Sequence, residues 1–398
     1  MRYIKSKNET SFWSFIPDLQ NKFISTYGHL VNLDVNYSNN YKFTPYFSTG
    51  KVEYDDIYYE IGFLNGTPSI DIGNQIYRKK NITKDKIGFD FKYAFKSSNV
   101  IDFTYNPDYG QINQDPSIIN NTAYEIEFDE KRLFFLENSS FYTTPIKVFY
   151  SRRIGGDVIK TGDDFFSNMT FDTDFNTAVS YLGSKNNIQY GFLYGEAKIN
   201  KGQSLYESLE NVSIKYYLMR NKFKISDYGF IGIIGTYYHK PNFNYRIDKP
   251  ELQNRQNFKQ QKSIASGIDF SFNFPVINNL YIDGQIVQTQ NDNISGKGLN
   301  VELDYVSYID LSKHVDAWVK IEKYNKNFDI SKMGYLYRND LQDFNLGIAY
   351  TNQNPHSSKT RKFILKYLIS KNYDNNIIQN NLDFSFNNSF KNYYKIAF

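Results

Sequence analysis

Most of the residues able to do chemistry sit in or beside three short runs, NPDYGQINQDP (Asn106–Pro116), EFDEKRLFFLE (Glu127–Glu137) and FYSRRIG (Phe149–Gly155). They supply Asn106, Asp108, Gln111, Asp115, Glu125, Glu130, Lys131, Arg132, Glu137, Ser151, Arg152 and Arg153. One chemistry open to this set is glycoside hydrolysis, with Glu130 and Glu137 as the carboxyl pair, which requires a separation of roughly 5–9.5 Å. On a continuous strand seven positions would hold them roughly 23 Å apart, so only a tight turn over Arg132 to Phe135 would permit it. The other reading is electrostatic. Opposed charges on strand positions of one parity form an inward ladder, and buried charges must be partnered. Arg152 and Arg153 point to opposite faces if their run is extended, so only one joins the ladder unless a bulge intervenes.

Other chemistries have weaker support. Asp102, Asp108 and Asp115 could offer hard oxygen ligands to calcium, but their spacing is not that of an EF-hand loop, and the Pro107-to-Gly110 stretch is ordinary turn chemistry. His29, His239, His314 and His356 are scattered without paired ligand spacing and read as rim or surface residues. Ser151 lacks the G-x-S-x-G context of a nucleophile elbow. The glycines near Gly232, Gly235, Gly296 and Gly298 do not form a phosphate loop, and in strands such glycines relieve curvature or mark bulges. With no Cys there is no thiolate or Cys-ligated metal, and no catalytic residue, cofactor or metal is assigned.

The elements that must position the motifs are strands. Ile87, Phe89, Phe91, Tyr93 and Phe95 alternate with Gly88, Asp90, Lys92, Ala94 and Lys96, a two-residue period that excludes helix. After Ser97-Ser98-Asn99 the pattern returns over Ile101 to Asn106, giving a hairpin. Similar runs occur over His29–Tyr37, Ile188–Gly195, Gly267–Phe274, Leu299–Tyr305, Val315–Glu322, Phe344–Tyr350 and Phe363–Lys371. Polar stretches at Arg78–Lys86, Asp157–Asn168 and Pro241–Lys262 read as loops. Residues 1–22 form a lead-in segment, and residues 23–398 one β domain.

Composition indicates where such a domain belongs. The chain of 398 residues holds 36 Tyr and 34 Phe, with 46 basic against 42 acidic side chains. A mean hydropathy of -0.58 with so many aromatics suits a barrel that shows lipid only every second residue. The interspersed charge gives no nucleic-acid footprint, so no nucleic-acid partner is expected. The longest nearly apolar run, Tyr228–Tyr238, is about half of the ~20 residues a spanning helix needs. Several alternating runs reach the ~9–11 residues with which a tilted strand crosses a bilayer. The pattern therefore predicts an all-β fold, an antiparallel transmembrane β-barrel of about 16 strands (range about 14–18) in outer-membrane lipid. A run broken by Pro107, Gly110 and Pro116 cannot be a regular membrane strand, so the segment Tyr109 to Asn121 is expected to fold into the lumen, as irregular backbone at membrane depth must.

The three motifs resemble those of the DUF5916 barrel proteins of Bacteroidota and relatives, whose pattern runs approximately NPDFGQVEADP, NLT, FPEKRPFFLEG and FYSRRIG. Matching positions are Asn106 to Gln111, Asp115-Pro116, Asn120, Thr122, Glu130-Lys131-Arg132, Phe134 to Glu137 and Tyr150 to Gly155. Arg2-Tyr3-Ile4, Lys7-Asn8-Glu9 and Trp13 upstream, and Gly334 to Asp340 downstream, extend the likeness. Asn113 stands where the pattern has Glu, Asp129 and Leu133 where it has Pro, and Asn138 where it has Gly. The terminal Tyr394 to Phe398 alternation is similar to the C-terminal strand signal of outer-membrane proteins. The resemblance implies an outer-membrane localisation, a signal peptide and a carbohydrate-binding module similar to family 9 encoded upstream, and a channel or surface-module anchor for glycans. It implies no established enzymatic activity.

Overall fold

The structure is a computed structural model describing residues 2–4, 9–11, 40–64, 67–96, 98–107, 118–122, 124–156, 158–160, 170–199, 207–209, 212–247, 255–274, 280–310, 312–353, 358–390 and 395–397. The chain divides into two compact units, 1–39 and 40–398. In the first, Arg2–Ile4 pairs antiparallel with Glu9–Ser11. The strand expected over His29–Tyr37 lies outside the described residues.

The second unit is an antiparallel barrel wall, a sheet linking sixteen strands. Fourteen of them have seven or more residues: β1 Asn40–Leu64, β2 Thr67–Phe95, β3 Asn99–Tyr105, β4 Thr170–Lys185, β5 Ile188–Ile199, β6 Ser213–Ser226 and β7 Gly229–Lys240, then β8 Gln261–Phe274, β9 Leu280–Asn291, β10 Ile294–Asp310, β11 Lys313–Tyr324, β12 Leu341–Gln353, β13 Ser358–Lys371 and β14 Ile377–Phe390. They follow one another in the sheet in chain order. Two three-residue strands complete it, Val158–Lys160 on β4 and Lys395–Ala397 on β14. Among the described residues β1 is not hydrogen-bonded to β14 or to Lys395–Ala397.

The expected β2–β3 hairpin is present, with Phe95 paired to Asn99 and Phe89 to Tyr105. Arg78–Lys86, read from sequence as a loop, instead lies within β2, opposite residues 48–56 of β1. Backbone ladders need no apolar alternation, so a polar ribbon can extend a strand past the part that packs. Pro241–Lys262 likewise contains short strands, Phe243–Ile247 and Arg255–Phe258, which pair with each other.

The two faces of the wall are inverted relative to a water-soluble sheet. Within β6, Met219 is 54% exposed while the next residue, Arg220, is 1% exposed; in β8, Ile268 is 55% and Asp269 1%; in β9, Ile286 is 61% and Gln285 0%. Consecutive strand residues point to opposite faces, so the outer face bears the aliphatics and the inner face the polar groups. Aromatic rows flank the outer aliphatics. Tyr194, Tyr217 and Tyr237 pack in sequence at 5.1 and 5.7 Å between ring centres, and Phe270, Phe272 and Phe274 at 6.3 and 6.1 Å at the other end of the strands.

Connections are asymmetric too. At one end β4–β5 and β6–β7 are joined by two-residue turns, and Asn186 there has φ 55°, the left-handed geometry that Asn tolerates in hairpin turns. The opposite end carries the long excursions after β3, β5, β7 and β11. The first and last of these excursions fold back onto the inner face and build the site.

Candidate functional site

β3 is ended by Asn106, whose φ is 48°. Its side-chain amide donates to the Ile87 carbonyl at 2.8 Å and its backbone N–H to the Asn176 carbonyl at 2.6 Å, tying the exit of the strand to both neighbours. The chain returns as an irregular segment over residues 124–156, with helical turns at Leu133–Leu136 and Ser139–Tyr142 and a 3-10 turn at Ser151–Arg153.

Arg132 is the hub of this segment. Its Nε donates to Glu130 Oε1 at 2.9 Å and one terminal nitrogen to Glu130 Oε2 at 2.7 Å. The same guanidinium donates to the carbonyls of Ile154 at 2.7 Å and Ser151 at 2.6 Å, and its plane lies 4.3 Å from the centre of the Phe135 ring. A planar fork can serve four acceptors at once where a lysine could not. Glu130 Oε1 also accepts the backbone N–H groups of Lys131 and Arg132 at 2.9 and 2.8 Å. Burial pushes the Glu130 carboxyl up, but the Arg132 guanidinium and the hydrogen bonds of Arg132 and Ser151 outweigh it, and the group titrates below the ordinary glutamate range. Burial raises the Tyr150 phenol, whose hydroxyl donates to the Phe128 carbonyl at 2.8 Å and accepts from the Phe128 N–H at 3.0 Å.

A second loop, residues 325–340, completes the segment from the far side. Tyr150 N–H donates to the Met333 carbonyl at 2.6 Å and Tyr335 N–H to the Lys147 carbonyl at 2.9 Å. Arg153 reaches the Gly334 carbonyl at 3.0 Å and Glu125 at 2.5 Å. Gly334 is required because a Cβ would lie 2.5 Å from the Lys147 carbonyl oxygen, and Gly155 because its φ is 77° and a Cβ would meet Phe175. Phe135, Tyr142, Ile146, Val148, Ile154, Phe328 and Ile330 then form one apolar core with the inner-face residues Leu193, Ala197, Leu218 and Val287.

Residues 64–170 match the family model described as "Domain of unknown function (DUF5916)". The match covers the stretch that holds all three motifs, about a quarter of the chain. No curated protein matches it. Among solved structures it is similar to a Pseudomonas aeruginosa FadL homologue at 10% identity and a TM-score of 0.27, over 84% of this chain and 82% of that one.

The second and third motifs, Glu127–Glu137 and Phe149–Gly155, thus form an inward plug with its own internal clamp. Of the residues singled out from sequence, Glu130, Arg132 and Ser151 meet at the hub and Glu125 meets Arg153. Lys131 contributes its backbone N–H to Glu130. Glu137 leaves this group and pairs with Lys92 of β2, which also lies 3.6 Å from Asp102 of β3. Arg152 donates to the Asp129 carbonyl at 2.8 Å. The expected single charge ladder is therefore a set of separate pairs, because the Ser151–Arg153 stretch turns where extended geometry was assumed. Asp108, Gln111 and Asp115 lie outside the described residues. That leaves Asp102 as the described member of the calcium candidate, held by Lys92 and by Asn138 at 3.1 Å.

The turn at Leu133–Leu136 does bend the chain between Glu130 and Glu137, yet both Glu130 oxygens are occupied by Arg132. His314, read from sequence as a rim or surface residue, is instead buried on the inner face beside Asp316. Sequence reasoning missed the anchors on the wall. Arg220 and Asp269, 1% and 2% exposed at their side chains, pair at 2.5 Å, and Arg220 also donates to the Thr143 carbonyl of the plug. Gln285 accepts the Ile146 N–H at 2.6 Å. Asp269 falls on the polar face of its alternating run, but nothing local in the sequence points to a partner 49 residues away.

Proposed function

We propose that this protein is a plugged outer-membrane β-barrel that acts as a channel or surface anchor in the uptake or handling of glycans. The observation carrying the membrane part is the inversion of the wall, with Met219, Ile268 and Ile286 exposed beside fully buried Arg220, Asp269 and Gln285. In water such a sheet would expose its apolar face; in lipid that face is the solvated one. No helix among the described residues is long and apolar enough to cross a membrane, and strands perform the crossing. Short connections belong to the periplasmic rim and long ones to the outside, so the plug descends from the external rim. Glycan as cargo rests on the carbohydrate-binding module that resemblance places upstream in this family.

The test is conductance and liposome swelling with the purified full chain, against a variant lacking residues 124–156. Low basal flux that rises strongly on deletion, with oligosaccharides entering, is the expected result. Equal impermeability of both proteins would overturn the channel reading. In parallel, Glu130→Gln and Glu137→Gln are assayed on a polysaccharide panel. Hydrolysis abolished by either change would replace transport by catalysis as the function.

A further inference from the structure

The inner face beyond the plug carries a different chemistry. Register places Gln285 opposite Asn300 and Asp283 opposite Glu302, then Glu302 opposite Lys320 and Asp304 opposite Trp318. Asp283, Glu302, Asp304 and Asp316 therefore share the polar, inward face of β9, β10 and β11. Lys320 is committed along its own strand to Glu322 at 3.2 Å. Among the described residues no side-chain hydrogen bond or ion pair joins Asp283, Glu302 or Asp304 to a basic group. Asp304 stands within electrostatic reach of Glu302, Asp283 and Asp316, against which Lys320 is the opposing charge beside it.

Asp316 supplies an independent observation. Its side chain is 9% exposed, so it is buried against these strands, yet neither carboxylate oxygen has a hydrogen-bond partner. His314 Nε2, at an ion-pair distance of 3.6 Å, and Lys362 of β13 act on it electrostatically, but neither donates a hydrogen bond to it. A desolvated carboxylate with no donor is costly, and a cation beside it removes the cost. Among the described residues no three acidic or histidine side chains converge closely enough to chelate a bare metal, so the ion would keep its water.

We infer that the inner face of β9–β11 is a cation-collecting site, which binds hydrated monovalent cations or ammonium groups and gives the pathway cation selectivity. Carboxylates lining one side of a low-dielectric cleft raise the local concentration of counter-ions, and acidic linings select cations in other pores. The inference deepens the channel reading. Its binding half is tested without any flux.

Trp318 is a built-in reporter. It sits opposite Asp304, and its ring lies where a Cβ on Gly347 of β12 would strike it. In a Trp13→Phe background it is the sole tryptophan. Quenching by caesium, iodide and neutral acrylamide is measured in detergent micelles. With each constant divided by its value for N-acetyltryptophanamide, caesium should quench Trp318 better than iodide by roughly sevenfold for one kT of potential, which enriches the cation and depletes the anion alike. The preference should vanish in the triple variant Asp283→Asn, Glu302→Gln, Asp304→Asn, and in high salt. Equal quenching by both ions, a preference surviving the triple variant, or a Trp318 that even acrylamide cannot reach would each overturn the site. If acrylamide quenching shows the triple variant to be misfolded, Asp304→Asn alone must reduce the preference. Reversal potentials under a KCl gradient read the permeation half: cation selectivity lost in the same variant is expected, and anion selectivity in the wild type would overturn it.

Discussion

On the inner face, β3 to β9 and β9 to β12 carry the same kinds of charged side chain and treat them in opposite ways. Under the plug charges are matched: Arg220 with Asp269 and Glu130 with Arg132 are buried pairs, and Lys92 with Glu137 is a half-exposed one. Beyond it, carboxylates gather on neighbouring strands with few cations among them. The first region uses charge to fix a piece of chain, where an unmatched group would be ruinous. The second leaves charge free to meet something that is not protein. A sheet whose inner face is wet can do both at once, because only the part covered by the plug must balance its polar groups.

The sharpest way to break the comparison is at its driest pair. Arg220→Ala should destabilise by about 3–5 kcal/mol, because it strands Asp269; a midpoint shift in urea, followed by circular dichroism in micelles, measures it. A loss under about 1 kcal/mol would mean a wet seam and no real difference between the regions. Next is Arg132→Lys, which keeps the charge and loses the fork. We expect a loss of about 1.5–3 kcal/mol, with faster proteolysis inside residues 124–156 while the strands stay protected.

A smaller effect tests the pH behaviour of the hub. Glu130 is held below its unfolded value, so its contribution is complete above the ordinary glutamate range and is lost as pH falls through the folded value. The plug should therefore loosen below about pH 4.3 in the wild type, and Glu130→Gln should already be loose at neutral pH and respond less to acid. Protease sensitivity across a pH series checks the sign. The smallest effect belongs to the open region: Asp283→Asn should change stability by less than about 0.5 kcal/mol. A loss comparable to that of Arg220→Ala would show the acids to be structural, and erase the contrast.

The strands that alternate strictly, such as Ile87–Phe95 and Phe344–Tyr350, were legible because one face carries the apolar side chains and the other the polar ones. The opposed stretches 48–56 of β1 and 78–86 of β2 were not, because they are too polar to show an apolar face. The usable signal there was Asn65-Gly66 between Leu64 and Thr67, a dipeptide suited to tight reversal. The hub pair Glu130 and Arg132 could be found in sequence as opposed charges two positions apart. Arg220, Asp269 and Gln285 could not, since their partners are set by register and by a segment that returns from the rim. The acidic strip needed the register of three strands before separate carboxylates became neighbours.

The bond from Arg153 to Gly334 spans 181 positions of chain. During assembly the early motif residues must therefore wait, with β4 to β11 laid down in the interval, before their last partner exists. Closing so long a loop is slow, and the interior stays open to its surroundings until it happens. A chain interrupted before residue 325 would keep the Arg220 and Gln285 anchors of the plug but lack the loop that closes it from the far side.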